Sequence, residues 1–338
     1  MSKEITNKFK KVLQKGIDNK SSDIHFSGDK KIHYRIDGDL KKGEESWSNK
    51  ELEKLSKNIL TGKEYENFLK NKAIDLVYSF DNYRFRINIF YQKEKLAFAI
   101  RVLNNEIPNI DTLGLPEKLK DIAKKEKGLF LITGPTGSGK STTLAALIDL
   151  INRKYKKHII TLENPIEYQF ENKKSLINQR ELKKDFTSFS KALKECLRQD
   201  PNIIMLGEMR DLETISTAIT AAETGHLVLS TLHTNSAITT IQRMIDMFPS
   251  DQQNQIRTQL SLTFLGVLSQ KLMPKLNQGL TLATELLIKN QAVSNLIREN
   301  KIQQLTNVIE TSRKEGMHTM KHSIKKLHRK GIIGDDKL

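Results

Sequence analysis

The first third of the chain mixes short helical and short strand patterns. Apolar residues recur at helical spacing over residues 4–17, 48–60 and 64–69. Apolar and polar residues alternate, as in half-buried strands, over residues 23–27, 31–36, 73–80, 83–90 and 96–103. A turn is predicted at Asp81–Asn82. These patterns predict a small α+β domain with an antiparallel sheet over residues 1–103.

From residue 113 onward, strand and helix patterns follow one another in turn. Apolar runs typical of buried strands cover residues 128–133, 158–163, 202–208 and 226–233. A further strand is predicted at 175–182. Helical patterns lie between and after these runs, over residues 142–152, 187–199, 211–224 and 236–248. Beyond Pro249 the pattern is mostly helical, with one strand at 282–288 and a last helix near 317–330. This order predicts an α/β domain with a mostly parallel sheet and a helical C-terminal region.

The segment between the two patterns has no periodicity and carries prolines at its edges (Pro108 and Pro116). We therefore predict a linker at 104–112. The N-terminal domain is expected to cover residues 1–103, and the larger domain residues 113–338.

Composition narrows the class of protein. Hydrophobic residues make up 37% of the 338 positions and charged residues 28%, as in soluble globular proteins. No apolar run approaches the roughly 20 residues of a membrane-spanning helix, and residues 1–20 lack the apolar core of a signal peptide. A single cysteine, Cys196, excludes an internal disulfide or a cysteine-cluster zinc site. These features lead us to expect a cytoplasmic protein.

The net charge of +16 has three interpretations. It can reflect a lysine-rich solvated surface, attraction to an anionic membrane surface, or nucleic-acid binding. The lysines are scattered, and no stripe of aromatic and basic residues marks a platform for bases. We therefore favour the solvated surface, with the membrane second, and expect no nucleic-acid partner.

The strongest chemical signal is a P-loop of the form G-x-x-x-x-G-K-S, which begins at Gly134. An apolar strand precedes it and a helical pattern follows it, which is the context that the motif requires. A chance glycine-rich turn is the alternative, but every fixed position and both flanks match. Glycines allow the backbone to curl around a triphosphate, Lys140 can reach its outer phosphates, and the Ser141 hydroxyl can ligate Mg²⁺. The predicted nucleotide-binding residues are Gly134, Pro135, Thr136, Gly137, Ser138, Gly139, Lys140, Ser141 and Thr142.

Further polar residues follow the other predicted parallel strands. P-loop enzymes usually hold Mg²⁺ with an aspartate at the end of a later strand, but here Gly207 stands in that place. Glu208, which follows it, is then the natural group to orient an attacking water. Glu163 ends another strand, and ligands gather at the carboxyl ends of parallel strands. His226 and His233 stand at opposite ends of one strand, so simple geometry allows only one of them near the phosphates. For each of these residues, a structural role as a cap or a core hydrogen-bonding group is the alternative.

Three arginines lie on predicted strands of the N-terminal domain: Arg84, Arg86 and Arg101. They are either surface charges or arginines that contact a triphosphate, a type of contact worth roughly 10³–10⁵ in rate. Their spacing does not choose between these roles.

Four segments, in the order typical of the family, resemble the secretion ATPases of type II secretion and type IV pilus systems. They are GPTGSGKSTTL from Gly134 (Walker A), TLENPIEY at 161–168 (Asp box), LRQDPNIIMLGEMRD at 197–211 (atypical Walker B) and AAETGHLVLSTLHTNS at 221–236 (His box). Within this family the chain is most similar to the PilT-type pilus retraction ATPases. That similarity rests on SDIHFS, YRIDGDL, RFRIN and AVSNLIRE, on chain length, and on the absence of a four-cysteine metal site.

The resemblance implies a PAS-like N-terminal domain, a RecA-like P-loop domain and a homohexamer that uses ATP and Mg²⁺. Glu208 would be the catalytic glutamate, and Glu163 the Asp-box acid near Mg²⁺ and water. His226 and His233 would form the His-box pair, and the three arginines would be candidate phosphate contacts. The motor would act at the cytoplasmic face of the inner membrane, with a pilus platform protein and a second retraction ATPase as partners, and would drive pilus retraction and twitching motility.

Two positions depart from the family pattern. Asn164 replaces the acidic residue usual after the Asp-box glutamate, which removes a charge near the metal. Ser294 stands where the retraction motif usually has arginine. These departures leave open an accessory retraction subunit with low activity. The residues also leave open an assembly or secretion ATPase of the same family and a RecA-like nucleic-acid motor.

Overall fold

The computed structural model describes residues 2–81, 83–103, 106–277 and 279–335. The chain divides into two compact units, Met1–Glu106 and Ile107–Leu338. Asn82 of the predicted turn, Asn104 and Asn105 of the predicted linker, and residues 336–338 of the predicted larger domain lie outside the described residues.

The described part of the first unit forms a six-stranded antiparallel sheet in the order β3-β2-β1-β6-β5-β4. Its strands are β1 (Asp23–Ser27), β2 (Lys30–Ile36), β3 (Asp39–Trp47), β4 (Ala73–Phe80), β5 (Tyr83–Gln92) and β6 (Lys95–Leu103). The sequence prediction missed β3. This edge strand buries only Trp47, and its other residues are polar or exposed, so it carries no alternating pattern. Charged side chains are common on edge strands because they discourage pairing with other chains.

Helices cover this sheet with apolar residues. They are α1 (Ser2–Asp18), α2 (Asn49–Ile59) and α3 (Gly62–Asn71). Phe9 of α1 packs against Phe26 and Trp47, and all three rings are almost fully buried. A capping box between Ser48 and Glu51 begins α2. The first unit therefore has its own hydrophobic core.

The described part of the second unit forms a seven-stranded sheet in the order β13-β12-β7-β11-β10-β8-β9. Its strands are β7 (Gly128–Thr133), β8 (His158–Glu163), β9 (Leu176–Glu181), β10 (Ile203–Leu206), β11 (Leu227–Leu232), β12 (Phe264–Pro274) and β13 (Leu280–Ile288). Every neighbouring pair is parallel except β12 and β13. The prediction of mostly helix beyond Pro249 missed β12, which lies between β7 and the edge strand β13.

Helices lie on both faces of this sheet. They are α4 (Leu119–Ile122), α5 (Lys140–Lys154), α6 (Phe189–Cys196), α7 (Leu212–Glu223), α8 (Ala237–Asp246), α9 (Gln253–Thr263), α10 (Gln291–Arg298), α11 (Leu305–Thr311) and α12 (Met320–Arg329). Alternate residues of β7 enter two separate cores, Leu129 and Leu131 on one face and Phe130 and Ile132 on the other. The expected α/β class with a smaller N-terminal α+β unit is confirmed. In the part of the chain that the structure describes, no helix is long and apolar enough to cross a bilayer.

The strand order has a direct consequence for the predicted site. β7, β11, β10 and β8 are consecutive neighbours and all parallel. The loops that follow them therefore all leave the sheet at the carboxyl ends of its parallel strands, where α/β proteins bind their ligands. We call this side of the sheet the P-loop edge.

Candidate nucleotide-binding and catalytic site

The P-loop leaves the carboxyl end of β7 and curls over the edge of the sheet before α5 begins at Lys140. Gly134 has φ +147°, and a Cβ there would lie 2.4 Å from the Gln270 carbonyl oxygen and 2.5 Å from Ser138 Oγ. Only glycine fits so close to the neighbouring backbone of β12. Gly137 and Gly139 also have positive φ angles, of 78° and 86°. The loop thus has the tight, inward-turned backbone that phosphate binding requires.

Lys140 is buried inside this loop, with 8% of its surface exposed. Its Nζ donates to the carbonyl oxygens of Gly134 at 2.8 Å and Pro135 at 2.9 Å. Burial lowers the pKa of Lys140, while the charges of Glu167 and Glu208 raise it in part. The hydrogen bonds that hold the ammonium group in the loop thus come from neutral carbonyls, which leaves its charge for an anionic ligand.

Hydroxyl groups surround the start of α5. Ser138 Oγ is buried and has no hydrogen-bond partner among the residues that the structure describes. A phosphate oxygen can satisfy such a group, since buried hydroxyls are rarely left unpaired. Ser141 lies in the first turn of α5. Thr142 Oγ1 lies 2.9 Å from Tyr168 Oη, so the segment after β8 contacts this turn directly.

Glu208 follows β10 by two residues, and its side chain is only 16% exposed. Its Oε2 lies 2.7 Å from Arg210 Nε and 3.6 Å from His233 Nε2. Its other oxygen, Oε1, has no partner in the described part of the chain. Burial lowers the pKa of His233, and the positive charge of Lys140 lowers it further. A neutral His233 therefore stands beside a carboxylate that has one oxygen available.

Glu163 is the last residue of β8 and is 6% exposed. Burial raises the pKa of its carboxyl to about 7. Hydrogen bonds to Oε1 from Thr161 Oγ1 (2.7 Å) and Gln179 Nε2 (3.0 Å) act in the opposite direction. The carboxyl group can therefore gain or lose a proton near neutral pH.

The structure brings most of the predicted site residues to one edge, but not His226. The residues at this edge are Glu163, Glu208, His233 and the P-loop from Gly134 to Thr142. His226 precedes β11 at the opposite end, where the Gly128 amide donates to its carbonyl oxygen. Its Nδ1 lies 3.0 Å from the Ala221 carbonyl oxygen, which can only accept, so Nδ1 carries a hydrogen. As the positions of the two histidines predicted, only one of them belongs to this chain's P-loop edge.

The three predicted arginines lie in the first unit, on β5 and β6. Arg86 and Arg101 are direct cross-strand partners. Each has a carboxylate nearby: Asp75 Oδ1 is 4.0 Å from Arg86 Nε, and Asp23 Oδ1 is 2.9 Å from Arg101 Nε. Arg84 is buried, at 6% exposed.

Sequence reasoning assigned no role to several residues that complete the site. Gln270 of β12 donates from Nε2 to Thr143 Oγ1 at 2.7 Å. Its main-chain carbonyl oxygen lies against Gly134. Gln179 of β9 contacts Glu163, as described above. Both come from strands that are distant in sequence from the residue they contact, so no local motif indicates them. Arg210 and Tyr168 lie inside the quoted motifs, and that position is the signal that could have found them.

Comparison with known proteins adds three findings. Residues 2–322 match the sequence profile of the family described as "Type II/IV secretion system protein". The chain is 42% identical over 315 residues to the "Type IV pilus retractation ATPase PilT" of Pseudomonas aeruginosa, covering 93% of this chain and 92% of that protein. It is 41% identical over 305 residues to the "Twitching motility protein" of Neisseria gonorrhoeae, covering 89% and 82% of the two chains.

A solved structure is similar over almost the same length. The "Crystal Structure of the Pilus Retraction Motor PilT and Bound ADP" matches with a TM-score of 0.89 and 44% identity, covering 97% of this chain and 95% of the other. Both units of the chain therefore have counterparts in that retraction motor.

Proposed function

The chain belongs to the type II/IV secretion system protein family, and from this membership we propose that it is a hexameric motor ATPase that couples ATP hydrolysis to the retraction of type IV pili. The observation that carries the proposal is that relatives named for pilus retraction and twitching motility match nearly the full length of this chain and most of their own. The groups at the P-loop edge support this proposal, as follows.

ATP is the proposed ligand of this edge. The backbone of the loop, the N-terminus of α5 and Lys140 would bind its phosphates. The buried Ser138 hydroxyl, unpartnered within the described residues, fits an anionic oxygen. Mg²⁺ is usually bound by one or two protein oxygens together with phosphates, and the Ser141 hydroxyl in the first turn of α5 is a suitable oxygen. The ion would neutralise charge on the phosphates.

Glu208 is the proposed catalytic carboxylate. Its Oε1 can accept a hydrogen bond from the attacking water, while Arg210 holds the other oxygen and His233 lies 3.6 Å from it. Glu163 is proposed to act beside it as a second carboxylate, with a pKa of about 7 that keeps its ionised form accessible near neutral pH. Arg84, Arg86 and Arg101 are proposed phosphate contacts, and His226 and His233 are the proposed His-box pair, of which His233 lies at this P-loop.

The assembly follows from the same family membership. We propose a homohexamer at the cytoplasmic face of the inner membrane, with the pilus platform protein as its membrane partner. A second retraction ATPase is a further proposed partner. No nucleic acid is expected to stimulate the activity.

The test compares steady-state Mg-ATPase activity of the purified chain with that of Glu208→Gln, with molecular mass measured in the same preparations. We expect an active hexamer, and a variant that binds ATP but turns over roughly 10²–10³ times more slowly, within the range for loss of a general base. Glu223→Gln, on the exposed end of α7, is the matched control and should be fully active. Normal turnover by Glu208→Gln would remove that residue from its role. In cells, loss of twitching with retained surface pili in the variant would support retraction.

An accessory subunit with low ATPase activity is the second candidate. Asn164, which is uncharged beside Glu163, and Ser294 on α10 are the observations that favour it. An inactive wild-type hexamer that gains activity with a second ATPase would favour this role over the motor.

A further inference from the structure

Gln179 stands on β9, the edge strand of the sheet, directly opposite Thr161 of β8. Its side chain makes three hydrogen bonds. Nε2 donates to Glu163 Oε1 at 3.0 Å and to the Tyr168 carbonyl oxygen at 2.8 Å. Oε1 accepts from the Phe170 amide at 2.9 Å. Both hydrogens of the amide nitrogen are therefore used.

These partners leave one orientation for the amide group. Glu163 Oε1 is shared with the Thr161 hydroxyl, the Tyr168 carbonyl can only accept, and the Phe170 amide can only donate. Exchanging the oxygen and nitrogen of Gln179 would place two donors against each other and two acceptors against each other. The side chain is therefore fixed, and it fixes the groups that it contacts.

The contacts connect two parts of the site. One is the carboxylate of Glu163. The other is the segment that carries Tyr168, whose hydroxyl lies 2.9 Å from Thr142 Oγ1 in the first turn of α5. A single amide thus joins the acid at the end of β8 to the segment that touches the start of the P-loop helix.

We propose that Gln179 is a positioning residue for ATP hydrolysis: it holds the Glu163 carboxylate and the Tyr168 segment in fixed geometry against the first turn of α5. The inference rests on the proposed role of Glu163. In the described structure the three side-chain hydrogen bonds of Gln179 all go to residues outside the P-loop, so it acts through the residues that it orients.

The electrostatic surroundings of Glu163 set the expected direction of the effect. Burial, with a smaller contribution from the charge of Glu167, raises the pKa of Glu163, whereas the Thr161 and Gln179 hydrogen bonds and a backbone hydrogen bond from Glu167 lower it. Glu181 shares this face of β9 and is paired with Lys184, and Glu208 is paired with Arg210. Loss of the Gln179 donor removes one of the few groups that favour the ionised carboxylate.

The test is Gln179→Met, which keeps the length of the side chain and removes the amide. We expect kcat to fall about tenfold, as for loss of groups that orient a reactive side chain, with KM for ATP changed less than about twofold. The acid limb of the kcat–pH profile should move to higher pH. Affinity for ADP, measured without turnover, should be unchanged because the P-loop is intact.

The matched control is Asn178→Leu. Asn178 is the preceding residue on β9, points to the other face, and bonds His158 at the far end of β8. This variant should keep the wild-type kcat and acid limb. Gln179→Glu provides a second probe, since a carboxylate beside Glu163 should move the acid limb further to high pH.

The outcomes separate this inference from the proposed function. Wild-type kcat and an unmoved acid limb in both Gln179 variants would overturn the positioning role, and so would an equal loss of ADP affinity, which indicates collapse of the site. Glu163→Gln is assayed alongside them. If that variant is fully active, the proposed role of Glu163 fails. If it is inactive while the Gln179 variants are normal, only the present inference fails.

Discussion

The seven-stranded sheet has an N-terminal edge at the amino ends of its parallel strands and a C-terminal edge, the P-loop edge, at their carboxyl ends. These two edges carry similar residues with different surroundings. At the N-terminal edge, His158 and His226 form ordinary hydrogen bonds to backbone carbonyls, at 2.9 Å to Asp200 and 3.0 Å to Ala221. At the C-terminal edge, Lys140 and Glu163 are buried, and His233 faces Glu208. The comparison teaches that residue type alone does not make a site in this fold. Position at the carboxyl ends of β7, β8, β10 and β11 does.

The difference is also energetic. Burial lowers the pKa of Lys140 and raises that of Glu163, because the charged form of each group is less stable there than in water. The C-terminal edge is therefore expected to trade stability for chemistry, as active sites commonly do.

The largest effect should come from Lys140, compared with a lysine at the other end of β7. Lys140→Ala removes the ammonium group at the centre of the loop, and we expect ATP turnover to fall at least about 10²-fold, a loss typical of a preorganised charge at a reacting group. Lys125, exposed before the N-terminal end of β7, is the control. Lys125→Ala should keep full activity and nucleotide affinity. Equal losses would contradict the assignment of the two edges.

A second large effect concerns stability. Glu163 has a folded-state pKa of about 7, against 4.5 for the ordinary group. Because the folded pKa is raised, its contribution to stability is fully present below the unfolded pKa of 4.5 and is lost as pH rises through 7. The shift corresponds to about 3 kcal/mol. Glu163→Gln cannot ionise, and its amide oxygen can still accept from Thr161 and Gln179.

Unfolding by urea at equal protein concentration measures this effect. The free energy of unfolding of Glu163→Gln relative to wild type should increase by about 2 kcal/mol between about pH 5 and pH 8. The same variant should be less active, since the charge that costs stability is the one proposed to serve catalysis. A constant difference in the free energy of unfolding across this range would show that folding does not raise the pKa of Glu163.

Sequence patterns predicted the elements that have an apolar periodicity of their own. The strands that end at the site are such runs, and their parallel order followed from the helices between them. β3 was missed because its residues are mostly charged and exposed, and its place depends on pairing with β2. β12 was missed because a short apolar run after a helix can continue as helix or strand, and its pairing with β7 decided between them.

The site was predictable where a motif is local. Gly134 to Thr142, Glu163, Glu208 and His233 were all indicated by their place after a strand. Gln179 and Gln270 were not, since each acts on a residue far away in sequence, across a strand pairing or from a strand that was missed. Their roles depend on register, which a single sequence does not specify.

The smallest expected effect is the most direct test of the two edges, because it uses one residue type on one strand. His233→Ala removes a neutral imidazole 3.6 Å from Glu208 Oε2, and we expect turnover to fall about tenfold, less than for a full general base. His226→Ala removes a hydrogen bond to the Ala221 carbonyl oxygen at the other end of β11. It should lower turnover less than about threefold in the same assay. Both variants are compared at equal hexamer content. An equal loss would show that His226 reaches a nucleotide through another subunit of the ring, and the division between the edges would then hold within one chain but not within the assembly.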